Sequence, residues 1–261
     1  MSNPCGTPLR QLLPEPARDL QRDDVAALAE HYKHAPGLTR LNMVSSLDGA
    51  ASLQGTSRGL HTPLDQLVFG LLRALSDVVL VGAGTARAEV YRPAKVRADF
   101  VGLRQNRPAA ATIAVLTRSA DLAPNSELVA GAPEDRRTVV LTCESSDAGR
   151  RRALRVAGAD VVIAGDSTVD LTAVIAALTE RGLLRVLCEG GPSLAGDLVA
   201  AGLLGELCLT LSPLLSGAEA PRILSGRDGQ QPVSVRPTAL LLDYADGTLA
   251  GRWAVDTVSL P

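Results

Sequence analysis

With 261 residues, 46% of them hydrophobic, the chain can bury a full core as one large domain or two small ones. Its 26 basic and 28 acidic residues leave a formal net charge of −2, which gives nucleic acid and anionic membranes no electrostatic hold, and 2% aromatics offer no stacking platform for single strands. The four cysteines (Cys5, Cys143, Cys188, Cys208) are scattered without a C-x-x-C pair, and no stretch has the length of a membrane span or the pattern of a signal, so the expectation is a soluble cytoplasmic protein without a metal.

In chain order, residues 1–21 are rich in proline and polar residues and read as an irregular arm. Asp23 or Asp24 can cap a short helix that Pro36-Gly37 stops, so residues 1–37 read as an arm and helix packed on a single domain of residues 38–261. Thr39–Val44 reads as a strand running into Ser45-Ser46-Leu47-Asp48-Gly49, and 50–62 as a polar loop. Thr62 or Pro63 opens a helix through Leu75, with Leu64, Leu67, Val68, Leu71, Leu72 and Leu75 at helical spacing. Asp77–Val81 is strand, Thr85–Glu89 a short helix, and 91–110 a long polar loop.

Strands at Thr112–Leu116, Thr138–Thr142 and Asp160–Ile163 follow, with an arginine-rich helix from about Asp147 to Ala157. Asp170 caps a helix through about Arg181, Leu184–Cys188 is strand, and a helix runs to Ala200. Glu206–Leu211, Ala239–Tyr244 and Leu249–Val255 complete the strands. Alternating strands and helices with a hairpin-like end predict an α/β domain, its sheet mostly parallel with an antiparallel edge.

Two glycine-rich strand-to-helix turns carry the functional signal: Val79–Thr85 (VLVGAGT) and Val186–Ser193 (VLCEGGPS). Glycine admits close backbone approach, and a helix start offers unpaired N–H groups to a phosphate. Either turn alone could be mere αβ geometry; together they suggest one extended phosphorylated ligand gripped twice, as a nicotinamide dinucleotide would be. Gly82-Ala83-Gly84-Thr85 lacks the third glycine and the distal acid of a Rossmann fingerprint, which disfavours an ordinary Rossmann dehydrogenase.

Thr117-Arg118-Ser119 follows a strand, and its two hydroxyls and guanidinium suit a phosphate monoester such as the 2′-phosphate of NADP, unless the loop is simply solvated. Glu189 before Gly190-Gly191 puts a carboxylate at a strand's C-terminal end, where open α/β sheets collect ligands; a structural carboxylate is the alternative. Ser46-Leu47-Asp48-Gly49 does the same, or is a plain Asp-Gly turn. His61 lies in a polar loop with no partner for a triad or metal site.

The segments Asn42–Gly49 (NMVSSLDG), Ser76–Thr85 (SDVVLVGAGT), Glu189–Leu194 (EGGPSL) and Leu211–Gly217 (LSPLLSG) resemble the RibD C-terminal reductase family of riboflavin biosynthesis over about residues 38–255. The departures and the N-terminal arm resemble its actinobacterial pyrimidine reductase branch. The resemblance implies a dihydrofolate reductase-like fold, a homodimer and NADPH as hydride donor. It implies reduction of the ribosyl group of 5-amino-6-(5-phosphoribosylamino)uracil to ribityl.

By that resemblance the cofactor lies across Gly82, Ala83, Gly84 and Thr85, then Thr117, Arg118 and Ser119, then Gly190, Gly191, Pro192, Ser193 and Leu194. The substrate lies between Asn42, Ser46, Asp48 and Glu189, with His61 and Thr62 closing over it and Glu89 and Arg92 on its side. Asp48 and Glu189 are the expected anchors and proton relay. Two family lysines are replaced by Asn42 and Ala50, and Arg58, Arg87 or Arg92 would have to restore the charge. A dihydrofolate or pterin-like substrate is the rival reading, against which stand the scarcity of aromatics and of an acid mid-helix. A non-catalytic NADP-binding protein is the second rival.

Overall fold

The computed structural model describes residues 7–217, 219–226 and 231–256, so Cys5 lies outside the described residues. The elements run β1 (Leu9–Leu13), β2 (Arg18–Leu20), α1 (Val25–His31), β3 (Thr39–Ser46), α2 (Pro63–Leu75), β4 (Val78–Gly82), α3 (Ala83–Ala88) and β5 (Thr112–Leu116). Then come α4 (Glu127–Ala130), β6 (Val139–Thr142), α5 (Ala148–Val156), β7 (Asp160–Ile163), α6 (Leu171–Glu180), β8 (Val186–Cys188) and α7 (Pro192–Ala200). The chain closes with β9 (Glu206–Ser212), β10 (Val235–Asp243) and β11 (Leu249–Val255).

Among the described residues the strands form one sheet in the order β2-β1-β10-β11-β9-β3-β8-β4-β5-β6-β7. From β9 to β7 all neighbours are parallel; β2, β1, β10 and β11 pair antiparallel beside them. The mostly parallel sheet with an antiparallel edge is thus the architecture the alternation predicts. β4 explains why its strand reads as a continuous apolar run: Val79 and Val81 pack with α1 and α2 on one face, and Val78 and Leu80 with α6 and α7 on the other. A parallel strand covered on both sides needs apolar residues at every position.

The N-terminal segment departs from the sequence expectation. Residues 9–20 form a hairpin whose β1 adds to β10, with Leu9 opposite Asp243 and Leu20. Leu9, Gln11 and Leu20 are buried, a period-two signal that the prolines at 14 and 16, confined to the turn, obscure.

The 91–110 segment also has more structure than a polar loop. Ala98–Arg104 is a 3-10 helix whose Phe100 and Arg104 are buried. Arg104 donates to the carbonyl of Ala74 at 3.2 Å, and Arg107 to that of Leu75 at 2.8 Å. Those are the carbonyls a helix leaves without partners at its C-terminus, so two arginines from a distant loop cap α2.

Candidate functional site

The C-terminal ends of β3, β4 and β8 open into a cleft of about 660 Å³. Gly190 and Gly191 of the second glycine turn line its wall with Thr85 of the first, because β8 lies beside β4, whereas Gly82, Ala83 and Gly84 are not among its lining residues. Gly82 N–H donates to the Gly190 carbonyl at 3.1 Å, and Glu189 N–H to the Leu80 carbonyl at 3.0 Å. Gly190 has φ +93°, a region open to glycine, and a Cβ on Gly191 would stand 2.6 Å from Thr85 Oγ1. Gly191 caps α7, with Pro192 at its first position. On β4 the helix starts at Ala83, two residues before the sequence expectation, so Gly84 lies inside α3 rather than in the turn.

Glu189 is the best-held charge in the cleft. Arg73 Nε and Nη2 each donate to one of its oxygens at 2.7 Å, and Tyr91 Oη donates at 2.6 Å. Arg73 in turn lies 4.3 Å from the ring centroid of Phe69 and 5.6 Å from that of Tyr91. Burial alone would lower the pKa of Arg73, but the charge and hydrogen bonds of Glu189 raise it. Burial, and then the Glu189 carboxylate, push the Tyr91 phenol well up, so it stays a donor. Cys188, next in sequence, is buried and its thiol is pushed up to about 12 by that burial, which leaves it unreactive at neutral pH.

Sequence reasoning missed Asp65, Phe69, Arg73, Tyr91 and Lys95, all of which line the cleft. The signal was present in α2: Asp65, Phe69 and Arg73 follow at i, i+4 and i+8, one face of a helix whose buried apolar positions are leucine, valine and alanine. Two of the chain's six aromatic side chains, Phe69 and Tyr91, stand here beside a buried acid, Asp65, in the first turn of α2.

Of the residues expected at the site, Asn42, His61, Thr85, Glu89, Arg92, Glu189, Gly190, Gly191 and Pro192 line the cleft. Ser193 and Leu194 continue into α7, and Thr62 is the N-cap of α2, its hydroxyl accepting from Asp65 N–H at 3.2 Å. Thr117 is buried at the end of β5 with Arg118 and Ser119 exposed beyond it, away from the cleft lining. Arg87 turns to Asp121, whose carbonyl it reaches at 2.8 Å, and Arg150 reaches the Ser119 carbonyl at 3.4 Å, so three arginines surround that strand end. Arg58, Arg92 and Lys95 line the cleft; Arg92 pairs with Glu127 at 3.2 Å, whereas Arg58 and Lys95 have no ion pair among the described residues.

Asp48 and Ser46 are not brought to the cleft. Ser46 Oγ donates to Asp48 and accepts from Ala50 N–H at 2.9 Å. Asp48 accepts from Ser216 N–H at 3.0 Å and Gly217 N–H at 2.8 Å, pinning the exit of β3 to the loop after β9. The Ser46 hydroxyl and those two amides lower its carboxyl to about 2. This depressed pKa contributes stability above the ordinary carboxylate value, which is lost as pH falls toward 2. The Ser216 and Gly217 amide resonances are therefore expected to move with a midpoint of about 2 in an NMR titration. A midpoint in the ordinary carboxylate range would show that the clamp is not made.

The RibD C-terminal domain matches residues 39–244, from the first residue of β3 to just past β10. The chain belongs to that family. Among relatives of the RibD C-terminal domain is a 2,5-diamino-6-ribosylamino-4(3H)-pyrimidinone 5′-phosphate reductase of Archaeoglobus fulgidus, 25% identical over 189 residues, covering 71% of this chain and 85% of that protein. The riboflavin biosynthesis protein RibD of Bacillus amyloliquefaciens is 29% identical over 203 residues, 73% of this chain and 49% of RibD, so the chain spans about half that relative's length. A pyrimidine reductase-like protein of Corynebacterium diphtheriae superposes with a TM-score of 0.77 at 26% identity, covering 87% of this chain and 94% of the other. No described helix is long and apolar enough to cross a membrane.

Proposed function

We propose that this RibD-type chain is an NADPH-dependent oxidoreductase of riboflavin biosynthesis, reducing the ribosyl group of a ribosylaminopyrimidine 5′-phosphate to ribityl. The observation that carries the reading is the one cleft that Thr85 of the first glycine turn and Gly190-Gly191 of the second line together with Arg58 and Lys95, cations with no ion pair among the described residues. Gly190 and Gly191 present bare backbone where a side chain would collide, and α7 starts there, which fits a pyrophosphate. Arg118, with Arg87 and Arg150 beside it, suits the 2′-phosphate that distinguishes NADP. The bound cofactor would supply the hydride.

The chain's own part is positioning. Glu189, fixed by Arg73 and Tyr91, presents a rigid carboxylate edge to the pyrimidine, and Asn42 lines the same space. Arg58 and Lys95 replace the charge lost with the lysines that family members carry at positions 42 and 50, and would hold the sugar phosphate. The loop 51–61 covers the mouth, tied down where Ser57 N–H donates to Glu89 at 2.9 Å. The same reading carries a homodimer and a cytoplasmic location with it.

NADPH oxidation followed by absorbance should be fast with 5-amino-6-(5-phosphoribosylamino)uracil or its 2,5-diamino-pyrimidinone counterpart and at least about 100-fold slower with dihydrofolate, a difference of about 2.7 kcal/mol in barrier. Preference for dihydrofolate would replace the substrate assignment, and tight NADPH binding without turnover of any of the three would support a non-catalytic protein.

A further inference from the structure

Three carboxylates line the cleft among the described residues, and two are committed elsewhere. Glu189 already accepts three hydrogen bonds, two from Arg73 and one from the Tyr91 phenol. Glu89 is half-buried and accepts from both the amide and the hydroxyl of Ser57, at 2.9 and 3.1 Å. The third, Asp65, is 5% exposed in the first turn of α2 and faces His61, which also lines the cleft.

The geometry points to Asp65, paired with His61, as the proton donor of the reduction. The inference rests on the function proposed above. When the C1′–O4′ bond of the sugar breaks, its electron pair leaves on O4′, which takes the proton from the pair. The lone pair of the glycosidic nitrogen forms C1′=N at the same carbon. Hydride from a reduced nicotinamide adds to C1′, the C=N electrons return to nitrogen, and the sugar carbon is reduced as the nicotinamide is oxidised.

The surroundings fit a donor that must hold a proton and regain it. Asp65 is hydrogen-bonded to the Thr210 hydroxyl from β9 and lies within electrostatic reach of His61 in the covering loop and of the buried phenol of Tyr32 at the C-cap of α1, whose hydroxyl has no hydrogen-bond partner among the described residues. Burial raises the Asp65 carboxyl, against the opposing pull of His61 and Thr210. From His61 the path continues outward: Nε2 shares a solvent-exposed 3.1 Å hydrogen bond with Ser57 Oγ, and that hydroxyl donates to half-buried Glu89 at 3.1 Å. A proton lost at Asp65 can be replaced from solvent along that chain without the cleft opening.

The test is kcat against pH for the wild-type chain, Asp65→Asn, Asp65→Glu and His61→Gln, with NADPH and the ribosylaminouracil phosphate. The wild-type kcat is expected to fall as pH rises through the raised titration of the Asp65 carboxyl. Asp65→Asn should lose about 100-fold or more in kcat, the size of general acid catalysis, with its pH limb flattened and KM and NADPH affinity within about threefold. Asp65→Glu should recover part of the rate, and His61→Gln should displace the limb. A carbon-13 titration of the Asp65 carboxyl in the full chain without substrate should show it protonated above the ordinary carboxylate range. An Asp65→Asn rate within about threefold of wild type, or a carboxyl titrating in the ordinary range, would overturn the assignment while leaving the reductase reading intact. A wild-type chain that binds NADPH but reduces no ribosylaminopyrimidine phosphate would overturn both.

Discussion

Acidification from neutral pH to about 4 is expected to remove about 4–6 kcal/mol of folding stability through two buried imidazoles. His31 is lowered to about 4, first by burial and then by the charges of Arg252 and Arg18. His34 is lowered to about 3, again chiefly by burial, with Arg40 adding to it. Its Nε2 donates to the Leu38 carbonyl at 3.0 Å, and Nδ1 lies 3.2 Å from Ser76 Oγ, whereas His31 Nε2 is buried without a partner among the described residues. Both are therefore neutral in the fold and titrate near 6.5 when unfolded, so the unfolded chain binds more protons throughout this window. Their contribution is complete above pH 6.5 and is lost as pH falls toward the folded values. Urea unfolding from pH 7 to 4 should show a slope approaching that of two protons; a flat profile would mean that the folded state accommodates both charges.

Replacing Glu189 with alanine is expected to cost about 3–5 kcal/mol, because it strands the Arg73 guanidinium with 18% of its side chain exposed and no carboxylate beside it. The double variant Arg73→Met with Glu189→Leu should recover most of that loss, since the uncompensated charge leaves with its partner. Neither variant should turn over the ribosylaminopyrimidine phosphate above about 1% of the wild-type rate, an effect that stability alone would not produce in the double variant. Denaturant midpoints with NADPH oxidation measured on the same preparations check both halves. A single variant as stable as wild type would show that water, rather than Glu189, solvates Arg73.

The parts of the fold legible in the sequence are those whose signals are local. β4 and β8 read as strands because they are apolar throughout, and the two glycine turns read as ligand sites because their chemistry is written in consecutive residues. Their hydrogen-bonded contact follows once β8 inserts between β3 and β4. What escaped is long-range. Arg73 and Glu189 are separated by 116 residues, and nothing in the neighbourhood of either names the other. Asp48 shows the converse: a carboxylate after a strand has the same local signature whether it meets a ligand or, as here, two backbone amides of a distant loop.

The hairpin of β1 and β2 has a consequence for the protein's behaviour in concentrated solution. Without it, the outer edge of β10 would present Leu240–Asp243, with the apolar run Leu240–Leu242, to any other strand in reach. With it, the outermost strand is the three-residue β2, carrying Arg18 and Asp19, too short and too charged to template a neighbour. The hairpin Leu9–Leu20 therefore acts as a guard of this sheet edge against self-association, a duty separate from anything that happens in the cleft.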